Sequence, residues 1–171
     1  MHLQANVNIR IERYANLSES DLIIIAQQVN EIYLDEEKGI WPTDGKYERT
    51  NAENLIQTAK NGELIVAFDG NQPVATIKVY EIDSKWYFGM LTTFYSHRKK
   101  GIAKQLINYV ETLLKKDKVD ELYIELLFSP TLEMPNKHSL KIWYENLGYK
   151  YIETIKFTDV NPEKAPIMAH D

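Results

Sequence analysis

The chain contains no cysteine, which excludes a disulfide framework, a cysteine-based zinc site and an acyl-cysteine intermediate. It has no apolar run long enough to span a bilayer and no signal-peptide pattern at its start, so a cytoplasmic protein with no membrane partner is expected. There is no Walker lysine–serine pair and no Gly-x-Gly-x-x-Gly, which leaves nucleotide hydrolysis and a dinucleotide fold unsupported. The histidines His2, His97, His138 and His170 are scattered without metal-ligand spacing, so no metal is expected. There is no surplus of positive charge either. A formal net charge of −5 argues against a general nucleic-acid binder. Repeats, low-complexity stretches and linkers are missing too. What remains is 171 residues, 44% hydrophobic and 26% charged, the composition of an ordinary globular protein. It reads as one domain over residues 1–171, large enough for a real core.

Residues 86–107 organise the rest. Trp86 to about Phe94 is apolar and rich in aromatics and Thr, which reads as a buried strand. After a polar turn, apolar residues recur at Ile102, Ala103, Leu106, Ile107, Val110, Leu113 and Leu114. That spacing gives one face of an amphipathic helix running to about Lys116. The junction is Arg98-Lys99-Lys100-Gly101-Ile102-Ala103. A helix opening there presents N–H groups that have no intrahelical partner and carry partial positive charge. Gly101 and Ala103 let an anion come close to them, and Arg98, Lys99 and Lys100 add charge, a local exception in an acidic chain. The spacing fits phosphate binding. It fits equally a glycine-containing turn under a solvated basic cluster.

In chain order, Val7 to Tyr14 alternates as a half-buried strand does. Ser18-x-x-Asp21 is close to a capping box and opens a helix lined by Leu22, Ile25, Ala26, Val29, Ile32 and Tyr33, which fails near Gly39. Thr50-Asn-Ala-Glu53 is a second capping box, with Leu55, Ile56 and Ala59 facing inward and Asn61-Gly62 as the end. Glu63–Phe68 and Pro73–Ile82 read as strands joined by a hairpin at Asp69-Gly-Asn-Gln, and Asp83-Ser84 turns the chain into the organising strand. Glu121–Phe128 lies one crossover later, so it should run parallel to that strand. Ser129–Pro135 is a loop, and a helix follows at about Lys137–Leu147, ending at Gly148. Tyr149–Phe157 reads as another strand, and Ala165–His170 is left for a last one.

Two motifs carry a resemblance. Arg98-x-x-Gly101-x-Ala103 matches the Arg/Gln-x-x-Gly-x-Gly/Ala motif of the GCN5-related N-acetyltransferases (GNAT), and the segment from Leu140 through Trp143-Tyr144-Glu145 to Gly148-Tyr149 is similar to their aromatic-Tyr-Glu-x-x-Gly-aromatic signature. The resemblance implies an α/β (α+β) fold: a GNAT-like, mixed, mostly antiparallel sheet of six to seven strands with helices on both faces. It also implies a parallel strand pair that splays apart to admit the pantetheine arm of acetyl-CoA as cosubstrate. By the same resemblance, Leu91 and Thr93 offer backbone to the pantetheine. The N–H groups of Lys100, Gly101, Ala103 and Lys104 hold the pyrophosphate, with Arg98 and Lys99 beside it. Tyr144 is implied as the proton donor to the departing thiolate. The helical spacing of Leu140, Trp143, Tyr144 and Leu147 also allows a plain core role.

The reaction implied is direct attack of a primary amine, on a small molecule or a protein, on the acetyl thioester. Histone-type relatives place a carboxylate eleven residues before the motif's first position. Tyr87 stands there in this chain, which leaves Glu81 and Glu125 as candidate bases. Asp35, Glu36, Glu37, Trp41, Asp44 and Glu133 would suit a cationic acceptor, or are simply a solvated acidic surface. Lys137 stands where an Asn is common. A non-catalytic acyl-CoA-binding or sensing module is the alternative of another class, and Tyr144 favours the enzyme over it. Either the last strand is short or the chain is trimmed. In both cases residues 160–170 could join a partner's sheet edge in a homodimer.

Overall fold

The computed structural model describes residues 8–161 and Glu163. It forms two compact units: residues up to Asn30 together with Thr50–Ile124, and Glu31–Arg49 together with the residues from Glu125 on. Among the described residues, no helix is long and apolar enough to cross a membrane.

The first unit is built on one five-stranded sheet, ordered β1-β2-β3-β4-β5. The strands are β1 Ile9–Glu12, β2 Leu64–Asp69, β3 Gln72–Ile82, β4 Lys85–Thr93 and β5 Leu122–Ile124. Neighbours from β1 to β4 are antiparallel, and β5 is parallel to β4. Buried residues run consecutively through Leu64–Phe68 and Pro73–Ile77. Successive strand residues point to opposite faces, so the middle of the sheet is covered on both sides. Asp83 and Ser84 both have positive φ, 50° and 64°, the primed geometry that matches strand twist in a two-residue hairpin.

Helices α1 (Glu19–Glu36), α2 (Ala52–Lys60) and α3 (Ile102–Lys116) punctuate the chain. The Ser18–Asp21 box at the start of α1 is complete: the Asp21 N–H donates to Ser18 Oγ, and the Ser18 N–H donates to the Asp21 carboxylate, each at 3.1 Å. In α2 the cap is Asn51 rather than Thr50, with its side chain accepting from the Asn54 N–H at 2.9 Å. The helix therefore starts one residue later than expected. Ile56 then turns outward, 41% exposed, while Leu55 is buried. Helix α3 follows its expected period, with Ile102, Leu106, Ile107, Val110 and Leu114 buried, and it packs on β1 to β4. Burying each such side chain stabilises by roughly 1.5–3 kcal/mol.

The second unit holds the end of α1, the loop after it, α4 (Pro135–Asn146) and the single turn α5 (Phe157–Val160). Its core is Ile40, Trp41, Tyr47 and Met134, with Leu34, Leu127, Leu132 and Phe157 against them. Trp41 stacks on Tyr47 with ring centres 4.0 Å apart, and Phe157 meets it edge-on at 5.9 Å.

The fold class is as expected, a mixed, mostly antiparallel sheet with helices, but with five strands among the described residues instead of six or seven. The expected strand Glu121–Phe128 is paired only over Leu122–Ile124. Residues 149–156 have no regular structure, and most are exposed. Their alternating apolar pattern shows a capacity to pair, but a strand also needs a partner edge. Val7 and the segment Ala165–His170 lie outside the described residues, as does most of 160–170; Val160 itself belongs to α5 and is exposed.

Candidate active site

Strand β4 leads into the site. Its pairing with β5 covers only Trp86↔Leu122, Tyr87↔Tyr123 and Phe88↔Ile124. Beyond Phe88, β4 runs on to Thr93 with β3 as its only strand neighbour among the described residues. In that stretch Met90 adopts φ 51° and the register with β3 shifts between Thr76 and Lys78, a β-bulge opposite Ile77. The displaced Met90 carbonyl accepts from Thr76 Oγ1 at 3.4 Å and Thr92 Oγ1 at 3.2 Å. A bulge bends its strand and leaves backbone groups out of the ladder. Leu91 and Thr93 lie in this stretch, both half-buried.

After β4 the chain makes a 3-10 turn, Tyr95–His97, and then the tight passage Arg98–Gly101. Lys99 has φ 61° and Gly101 has φ 74°. Gly101 is the N-cap of α3, and no side chain caps the helix. The first intrahelical bond runs from the Gln105 N–H to the Gly101 carbonyl, 3.2 Å. The N–H groups of Ile102, Ala103 and Lys104 thus open the helix without intrahelical acceptors, at the positive end of its dipole. A Cβ built on Gly101 would meet nothing within 4 Å. Glycine is needed here for its backbone conformation and not to relieve crowding, and the space above it stays open to a ligand. Arg98, Lys99, Lys100 and Lys104 are exposed around this end. The Arg98 guanidinium lies 4.3 Å from the centre of the Tyr95 ring. The donor set suits a phosphate group.

Tyr144 belongs to the second unit, on α4, and is 5% exposed. Burial pushes its hydroxyl pKa up, with a smaller contribution from the nearby Tyr33 hydroxyl. Its ring meets Trp143 at 5.1 Å and Tyr149 at 5.9 Å, both edge-on. The helix ends in a Schellman motif. The Gly148 N–H, at φ 102°, donates to Glu145, and the Tyr149 N–H donates to the Tyr144 carbonyl. Tyr144, Gly148 and Tyr149 are therefore linked by one capping geometry, which gives the signature a structural reason alongside any chemical one.

Neither candidate base is sheltered: Glu81 and Glu125 are both exposed. Tyr87 stands in a cross-strand ladder, with Tyr80 at 5.7 Å and Tyr123 at 5.5 Å. The acidic stretch is divided. Asp35, Asp44 and Glu133 are exposed and Glu36 is half-buried, whereas Glu37 is buried and bound. Its carboxylate accepts from Trp41 Nε1 at 2.5 Å and from the buried Lys137 ammonium at 3.0 Å. Glu37 and Trp41 thus form an ammonium site filled by the chain's own lysine, so they do not offer a free surface to an acceptor.

Sequence reasoning missed the side-chain bonds of His97, which joins Asp69 and Ser96, and the Met90 bulge. No local pattern announces either. The position of His97 one residue before Arg98 was the available signal.

The sequence matches the acetyltransferase (GNAT) family over residues 26–149. No curated protein sequence matches the chain. Among solved structures, the PaiA N-acetyltransferase of Thermoplasma acidophilum, in complex with coenzyme A, is 20% identical with a TM-score of 0.67, covering 86% of this chain and 93% of that one. A predicted acetyltransferase of Clostridium acetobutylicum, solved with acetyl-CoA, is 17% identical with a TM-score of 0.60, over 88% and 94%. An aminoglycoside acetyltransferase from an uncultured soil metagenomic sample, solved with sisomicin, is 18% identical with a TM-score of 0.55, over 87% and 93%. These likenesses establish the fold. The family match extends over well more than half of the sequence and takes in both the open helix end behind Gly101 and the Tyr144 helix: the chain belongs to the GNAT acetyltransferase family.

Proposed function

We propose that the protein is an acetyl-CoA-dependent N-acetyltransferase that moves acetyl directly to a primary amine of a small molecule or a protein. The observation that carries this is the uncapped start of α3 behind left-handed Gly101, ringed by four cations, in a chain of the acetyltransferase family. The N–H groups of Lys100, Gly101, Ala103 and Lys104 and the side chains of Arg98 and Lys99 would hold the pyrophosphate of the cosubstrate, and the backbone of Leu91 and Thr93 its pantetheine arm. The cosubstrate supplies an acetyl group activated as a thioester. Tyr144 supplies the proton that the departing sulfur needs. Its burial keeps the hydroxyl protonated well above neutral pH, the state a general acid must be in. No side chain is assigned as base. Glu81 and Glu125 sit in water, so the incoming amine would lose its proton to solvent or through a water at one of them.

The same reading keeps residues 1–171 as one catalytic domain, supported by a family match that includes residues of both compact units. Amine acceptors are supported by the company the fold keeps, one neighbour being an aminoglycoside acetyltransferase. The test is thiol release from acetyl-CoA against polyamines, aminoglycosides, amino acids and a lysine peptide. Gly101→Glu puts bulk and negative charge at the open helix end, and at φ 74° it costs on the order of 1–2 kcal/mol. It should leave the protein folded and abolish acetyl-CoA binding in titration calorimetry. Unchanged affinity in a folded Gly101→Glu protein would remove the turn from the site. Binding without turnover on any amine would favour a sensing module.

A further inference from the structure

We propose that His97, held by Asp69, is a positioning residue that fixes the phosphate-binding turn to the sheet. The proposal rests on reading Arg98–Lys104 as the coenzyme A site. His97 is 9% exposed and bonded through both ring nitrogens: Nε2 to Asp69 Oδ2 at 2.8 Å and Nδ1 to Ser96 Oγ at 2.7 Å. One neutral tautomer satisfies both contacts, with Nε2–H donating to the carboxylate and the Ser96 hydroxyl donating to Nδ1. Asp69 is the last residue of β2, 28 positions earlier in the chain, and is paired there with Ile9 and Gln72. The imidazole therefore ties the turn to a strand that is itself buried and paired on both sides.

The turn needs such a tie. Two of its residues, Lys99 and Gly101, are in the left-handed region, and for lysine that conformation is strained and persists only where surroundings impose it. Its ends are pinned by backbone. On the strand side, the His97 N–H bonds Phe94 and the Phe94 N–H bonds Val74, both at 2.9 Å; on the helix side, Gln105 bonds Gly101. At the strand-side end the His97–Asp69 bond adds a side-chain link from turn to sheet. A phosphate site made of backbone donors depends on their directions more than on any one side chain. Loosening the link should therefore weaken coenzyme A binding without touching a residue that contacts it.

The experiment compares the parent with Asp69→Ala, Asp69→Asn and His97→Leu. Asp69 is partly exposed, so its variants should fold even if His97→Leu does not. In Asp69→Ala, amide exchange at His97 and Gln105 in the ligand-free protein should rise about tenfold, and the coenzyme A dissociation constant should rise by a similar factor. With a working acceptor, KM for acetyl-CoA should rise while kcat stays within about twofold, a split that general destabilisation would not produce. Asp69→Asn keeps an oxygen to accept the Nε2 proton and should restore affinity to within about threefold of the parent. If the parent and Asp69→Ala bind alike while Gly101→Glu loses binding, the tether is overturned and the site stands. If the parent binds no coenzyme A, both fall.

Discussion

At the scale of single residues, the sharpest structural commitment is Lys137. Lys137 and Glu37 are each 5% exposed, and the ammonium and carboxylate lie 3.0 Å apart, joined across a hundred positions of sequence. Removing one member of such a pair leaves the other charge buried and uncompensated, which costs about 3–5 kcal/mol. Lys137→Met should therefore lower the melting temperature by on the order of 10 °C, using the scaling for domains of this size. Lys137→Met with Glu37→Leu should recover most of the loss, and a calorimetric comparison of the two proteins decides it. Tyr144 poses the chemical question. Tyr144→Phe keeps the ring contacts to Trp143 and Tyr149 and removes only the hydroxyl. Loss of a general acid typically costs a hundred- to ten-thousand-fold in rate, with acetyl-CoA affinity nearly unchanged. Turnover within about threefold of the parent, with chemistry rate-limiting, would reduce Tyr144 to a core residue.

At the scale of elements, helix ends decide much of the architecture. Helices α2, α3 and α4 all close in the same way, with the residue after the cap left-handed: Gly62, Lys118 and Gly148. At α3 the Lys118 N–H bonds Lys115 and the Val119 N–H bonds Leu114, the two bonds of the Schellman motif. Lysine at φ 59° carries a steric cost that glycine does not. Lys118→Gly should therefore stabilise the protein by about 1 kcal/mol, read as a shift of the denaturant midpoint with an unchanged slope. A destabilised variant would mean that the lysine side chain has a role of its own there. Gly62 differs, because a Cβ on it would come within 2.8 Å of the Tyr14 ring. Gly62→Ala should destabilise through its left-handed backbone, φ 69°, while the exposed Tyr14 ring is free to swing away from the Cβ.

At the scale of the whole molecule, pH dependence follows from buried tyrosines. Burial raises the pKa of Tyr33, Tyr47 and Tyr144 in the folded protein. In the unfolded chain each titrates near its ordinary value of about 10. Above that pH the unfolded state loses protons that the folded state keeps, so stability is full below about pH 10 and falls as pH rises beyond it. Denaturant melts from pH 8 to 11 should show a loss confined to the alkaline end. Tyr47→Phe and Tyr144→Phe should each flatten it, and a flat profile in the parent would contradict the burial. If the chain is one domain, as proposed, thermal unfolding followed by scanning calorimetry should show a single transition with equal calorimetric and van't Hoff enthalpies.

The sequence by itself determined whatever depends on neighbours within a turn or two of chain. The Ser18–Asp21 box, the hairpin turn at Asp83-Ser84, the buried stripe of α3 and the glycine-opened turn before it were all readable, because their partners lie inside the same short window. The two family motifs were readable for the same reason, each lying at one helix end, the open start of α3 and the capped close of α4. Tertiary structure decided what depends on distant partners. Residues 149–156 have the alternation of a strand but no ladder, the Met90 bulge needs the offset register of β3, and Ile56 turns outward although its spacing allowed the inside. Glu37 in sequence is one of several acidic residues available to an acceptor, yet in the fold it is neutralised by Lys137 and held by Trp41. Burial and pairing depend on which surfaces meet, and residues far apart in the chain meet only after folding has brought them together.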